Sequence, residues 1–203
     1  MPSASETRAM PAPLTRADLM TLEAYAEARP AFRERVRAHK RLRTVTLGPH
    51  ATLMFEDRLT VQYQVQEMLR IERVFEPDAV QAELDAYAGL VPGGQDLRAT
   101  LLLEYSDAGE RRAALGLLGG VEHRVFLEVT GHGRAATHAD EDLPRSDGTR
   151  TSAVHFLRFA LTPAQASAMR SGAAVVVGID DARMPLRVEV PLATCASLRG
   201  DLG

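Results

Sequence analysis

Two stretches in the second half of the chain repeat one order of elements, and this constrains the fold more than any other feature. "ATLLLEYSDAGERRAALGLLGGVEHRVFLEVTGHGRAATHADEDL" reads as strand, short helix, strand, turn, strand, and so does "SAVHFLRFALTPAQASAMRSGAAVVVGIDDARMPLRVEVPLATCASL". "SDAGE" and "TPAQA" stand at the matching helix starts. Two β-α-β-β units predict a mostly antiparallel sheet covered by helices, and therefore an α+β fold. The units can pack together within the chain or leave an edge for a second copy, that is, a homodimer.

The preceding half is richer in helix. Met1 to Pro13, with its Pro, Ser and Ala, reads as a disordered leader. Residues 14–203 read as one domain, helix-rich over 14–92 and sheet-rich over 93–203, with "VPGGQ" as the break between the parts. Thr15 and Asp18 have the spacing of a capping box, so a helix is expected with Leu19, Leu22 and Ala26 on one side. Pro30 suits the first turn of a second helix with a stripe of Phe32, Val36 and His39. "TVTL" and "ATLMFED" around "GPH" predict a hairpin. A long helix should start near Leu59, and Pro77 should open another that ends at Gly89.

The helix containing "YQVQEMLRIERVF" carries polar side chains where apolar ones are expected. At 100° per residue from Leu59, Val61, Val65, Met68, Leu69, Ile71 and Phe75 fill an arc from about 120° to 280°. Gln64, at about 140°, and Glu72, at about 220°, fall inside it. Glu72 is thus expected to point to the core, where a carboxylate must be protonated, ion-paired, hydrogen-bonded or metal-bound. Tyr63, Glu67 and Arg70 lie on the opposite face, with Glu67 and Arg70 spaced for a pair. His155, Glu104 and His123 stand on strands and His50 at the hairpin exit. Each alone reads most simply as a strand-end residue. Together with Glu72 they form a candidate His/carboxylate site of the kind that iron or zinc accepts.

Other classes are constrained by absence. The chain has no Glu-x-x-His, His-Glu-x-x-His, Cys-x-x-Cys, Walker loop or Gly-x-Ser-x-Gly elbow, and no reaction or catalytic residue is singled out. Its single cysteine, Cys195, fits a reducing compartment, and no apolar run approaches a membrane span, so a cytoplasmic protein is expected. From Arg29 to Arg43 there are seven Lys/Arg against one Glu, in a chain whose net charge is −3. Arg33, Arg37, Lys40 and Arg41 could dock an acidic partner, as a non-enzymatic binding module would. One aromatic in that segment, Phe32, argues against nucleic acid.

Over "AHKRLRTVTLGPHATLMFEDRLTVQYQVQEMLRIERVFE" and "TSAVHFLRFALTP" the chain resembles a bacterial family described only as domain of unknown function 3501. The similarity covers nearly everything after Pro13. The resemblance implies no activity or site residues. Members tend to be encoded near rubrerythrin-like and iron–sulfur redox proteins, so it implies a role in peroxide or redox metabolism, with oxidative stress as the setting and such proteins as partners.

Overall fold

The computed structural model describes residues 13–141, 145–146 and 150–203. Apart from Pro13, the expected leader lies outside them. Thr15 and Asp18 form the capping box, the Thr15 N–H and hydroxyl donating to the Asp18 carboxylate at 2.8 and 2.9 Å. It closes only a single 3-10 turn, Arg16–Asp18. The two helices expected around Pro30 are one, α1 (Leu22–Arg41), capped by Thr21. Proline removes one N–H and one helical hydrogen bond. That loss is offset because Tyr25, Phe32 and Val36, on both sides of Pro30, continue one buried stripe.

Strands β1 (Thr44–Gly48) and β2 (Ala51–Glu56) form the expected hairpin, with Pro49 and His50 as its turn. Gly48 lies close to Leu186: a Cβ there would fall 2.8 Å from Leu186 Cδ2, so a larger residue needs that side chain to move. Helix α2 (Arg58–Glu72) is capped by Asp57 and Thr60, and α3 (Pro77–Ala88) begins at Pro77 and ends at Gly89. No helix among the described residues is long and apolar enough to cross a membrane.

The inward face of α2 differs from the expected arc. Val61, Val65, Gln66 and Leu69 are buried, whereas Ile71 and Phe75 are exposed. Glu72 is exposed as well. It is the last helical residue, followed by Arg73 in the left-handed conformation (φ 56°), and lies beyond the reach of the core. The polar residue that does face inward is Gln66. Its carbonyl accepts from Met20 N–H (3.0 Å) and its amide donates to Met20 C=O (3.1 Å), a two-way tie that a carboxylate could not make. Gln64 is half-buried. The Glu67/Arg70 side is covered by α1: Glu67 accepts from Tyr25 (2.6 Å), Arg29 (2.7 and 2.9 Å) and Arg70 (3.2 Å). The Arg29 hydrogen bonds, aided by Tyr25 and Arg70, hold the Glu67 carboxyl down to about 2.

Beyond the breaker come β3 (Asp96–Leu103), α4 (Ala108–Leu117), β4 (Val125–Val129), β5 (Gly133–Arg134), β6 (Ala136–Ala139), β7 (Val154–Ala160), α5 (Pro163–Arg170), β8 (Val175–Ile179), β9 (Leu186–Glu189) and α6 (Leu192–Leu198). The two units form two sheets rather than the single one expected. Their first strands pair with each other, β3 with β7, and so do their second strands, β4 with β8. A five-stranded sheet in the order β1-β2-β3-β7-β6 and a four-stranded sheet in the order β5-β4-β8-β9 result, with every pair antiparallel. The protein is thus α+β, with helices against a pair of sheets. Their inner faces share one core, with Leu53, Phe55, Leu101, Leu157 and Phe159 from one sheet and Leu127, Val175, Val177 and Ile179 from the other.

Arg43, the last residue of the basic segment, is buried and fastens the C-terminal segment to the end of β2. It donates to the Phe55 and Glu56 carbonyls (3.0 Å each) and to Ser197 Oγ (3.2 Å), and it pairs with Asp201. Burial pushes the Asp201 carboxyl up to about 6 despite Arg43. Unfolded Asp releases its proton near the ordinary value, so between about pH 4 and 6 the unfolded state binds fewer protons than the folded one. Stability therefore falls as pH rises through that window because of this group. Urea unfolding of wild type and Asp201→Asn should show their difference changing between those limits and flat above; a pH-independent difference would contradict this.

Candidate metal centre

His155 sits on β7 with Leu157 and Phe159 on the core-facing side, as the alternation in "VHFLRFAL" indicates, and its side chain is fully buried. Three further residues meet it. Nδ1 lies 2.6 Å from Asp140 Oδ2, and Nε2 lies 2.7 Å from Thr151 Oγ1 and 3.0 Å from the Ser152 carbonyl. The Thr151 hydroxyl donates to Glu122 Oε2 at 3.1 Å, which itself lies 4.0 Å from His155 Nε2. One ligand atom from each of Glu122, Asp140 and His155 lies within 4.8 Å of the others.

Local structure explains how each group arrives. Asp140 follows β6 and takes a left-handed conformation (φ 49°) that Asp tolerates better than most residues. Its N–H donates to Phe156 C=O (2.8 Å), and its Oδ1 accepts from Phe156 N–H (2.9 Å) and from Arg145 (3.1 Å). The turn bends the chain so that Oδ2 reaches the imidazole. Glu122 lies in a 3-10 turn, Val121–Arg124, entered through Gly120 at φ 81°. Thr151 is held by its N–H to Leu115 C=O, 2.9 Å.

Nδ1 faces the Asp140 carboxylate, which only accepts, so this nitrogen carries hydrogen. Nε2 stands within reach of the Ser152 carbonyl, which only accepts, and of the Thr151 hydroxyl, which can donate either to Nε2 or to Glu122. Arg145 stands behind Asp140.

The other candidates are distributed over the surface. His123 is two-thirds exposed, its Nε2 3.6 Å from the outer oxygen of Glu122. His50 and Glu104 meet each other elsewhere. His50 Nδ1 is 3.0 Å from the Glu104 carbonyl, its ring stacks on Tyr105 (4.2 Å, 11°), and the Glu104 carboxylate accepts from Thr52 (2.9 Å). Glu72 joins neither group. Arg33, Arg37 and Arg41 are exposed on α1, and Lys40 Nζ stands 5.8 Å from the Tyr63 ring centre. Glu122 and Asp140 are not legible in the sequence because no short spacing links them to His155; Thr151 lies four residues before it, but a lone hydroxyl there is no signal. The one local signal is that Glu122 adjoins His123.

The sequence profile described as "Protein of unknown function (DUF3501)" matches residues 13–202. The chain belongs to this family. The chain is also similar to a protein of unknown function from Burkholderia pseudomallei K96243, known from a crystal structure. That protein is 48% identical to this one, with a TM-score of 0.90 over 95% of this chain and 100% of the other. No functionally curated protein matches.

The Asp140 side chain is buried against Arg145 (3.1 Å) and His155 (2.6 Å), and removing one partner of a buried pair leaves an uncompensated charge, at a cost of about 3 kcal/mol or more. Asp140→Asn keeps the shape and tolerates the left-handed backbone, so it isolates the charge. Chemical denaturation should show a loss of that order; a loss under about 1 kcal/mol would mean the imidazole is not held by this carboxylate.

Proposed function

We propose that this DUF3501 protein is a metal-binding accessory protein of redox metabolism, with its centre at Glu122, Asp140 and His155. The observation that carries the reading is the convergence of one imidazole and two carboxylates in a buried place. Of these, His155 Nε2 and Glu122 Oε2 would be the ligands, donors of the kind that iron or zinc accepts. The 4.0 Å between His155 Nε2 and Glu122 Oε2 is spanned by two metal–ligand bonds of about 2.0 to 2.1 Å each, although nearly in line. Asp140 on Nδ1 supplies the carboxylate that commonly orients a ligating histidine. The ion would need Nε2 free of hydrogen, so uptake would weaken as pH falls. The redox setting, with rubrerythrin-like or iron–sulfur partners and a cytoplasmic location, rests on the family resemblance.

Elemental analysis of untagged protein, purified without oxygen or chelator, tests this. Near-stoichiometric iron or zinc should be present in wild type and Glu72→Ala and absent from folded His155→Ala and Glu122→Gln. A protein that is metal-free and takes up neither ion would end the reading.

A second reading has its own observation. Arg33 and Arg37 are exposed and form no ion pair among the described residues, beside an open recess lined by Arg37, Lys40, Arg41 and Thr44. This face would dock an acidic partner protein. Binding should weaken steeply with salt and be lost in Arg33→Glu/Arg37→Glu. Capture of a rubrerythrin-like protein that survives both changes would exclude this face.

A further inference from the structure

Arg98 on β3 and Arg158 on β7 are directly opposite each other, an arrangement of like charges that destabilises a sheet unless an anion lies between them. His138 on β6 stands opposite Arg158 on the other side. Three strands therefore bring cationic or ionisable groups into one row on the helix-covered side of the five-stranded sheet. A recess of about 80 Å³ is lined by Arg98 and Arg158 of this row and by Ala86, Gly89 and Leu90 at the end of α3.

The anion in this structure is Glu141. Its carboxylate takes a two-pronged grip from Arg158 (2.7 and 2.5 Å) and lies 3.7 Å from Arg98 and 4.0 Å from His138. That is the geometry with which arginine recognises a free carboxylate or phosphate. Glu141 comes from a bend after β6 rather than from the sheet, and it is nearly half exposed. Asp96 adds a second negative charge, 2.7 Å from Arg98 Nε, but that N–H is not directed at it. Arg98 Nε is a buried donor with no hydrogen-bond partner among the described residues.

We propose that Arg98 and Arg158 form a binding site for the carboxylate or phosphate group of a small ligand, which Glu141 occupies from within the chain. An incoming oxyanion would take over the Arg158 fork, displace Glu141 toward solvent and offer an acceptor to Arg98 Nε. The size of the recess admits the anionic group and not a nucleotide. The site is independent of the metal reading, although Glu141 is the neighbour of Asp140.

Isothermal titration with inorganic phosphate, and separately with acetate, tests the proposal on wild type and Glu141→Ala. Removing the internal carboxylate should tighten binding of at least one probe about tenfold. The preferred probe would identify the group as phosphate or carboxylate. Adding Arg158→Gln to Glu141→Ala should abolish the gain, and adding Arg98→Gln should reduce it. Glu141→Gln, which keeps the shape and drops the charge, should give a smaller gain and serves if the alanine variant does not fold. No tightening in a folded Glu141 variant, or tightening that persists without Arg158, would overturn the proposal.

Discussion

The antiparallel pairing of β3 with β7 is the contact on which the rest of this protein depends. It joins two units that are distant in sequence, and its register places Leu97 opposite Phe159, Ala99 opposite Leu157 and Leu101 opposite His155. A shift by one residue would turn this apolar set outward and bring Arg98 and Arg158 into the core. Because β4 and β8 pair in turn, each unit contributes to both sheets, and neither could bury its apolar faces alone. The hairpin and the helices then pack against an already determined frame.

The same register positions both charge networks. His155 begins the inward row of β7 and closes the inter-sheet core at one end, while Arg158, three residues on, points to the other side. Residues 140 and 141 serve the two sides from one bend, Asp140 turning toward the imidazole and Glu141 toward the arginines. The left-handed conformation of Asp140 permits this, since neighbouring residues of a regular strand already alternate but would continue past both partners. Two ionic sites on opposite faces of one sheet thus share a single peptide of backbone.

Helix α2 shows how local periodicity misleads. Its apolar residues are spread widely enough that Ile71 and Phe75 draw the apparent face toward Glu72. Two contacts that periodicity does not contain decide the outcome: α1 covers the Glu67 side, and Met20 offers a backbone pair that only an amide can match. Glu67 then pairs with both Arg29 and Arg70, so Arg29 of the basic segment is spent on internal pairing. Arg43 is likewise withdrawn into the interior.

By itself the sequence determined the α+β class, the hairpin, the helix starts at Pro77 and near Leu59, the inward histidine of β7 and the doubled order of the second half. These follow from short-range rules: alternation, capping and turn chemistry act within a few residues and are written in the chain. Tertiary structure alone decided that the doubled units exchange strands, that Pro30 lies within one helix, that Gln66 rather than Glu72 is buried, and that Glu122 and Asp140 meet at His155. Those outcomes depend on which surfaces meet across 15 to 46 residues or more of intervening chain. No spacing within one element encodes a contact between two.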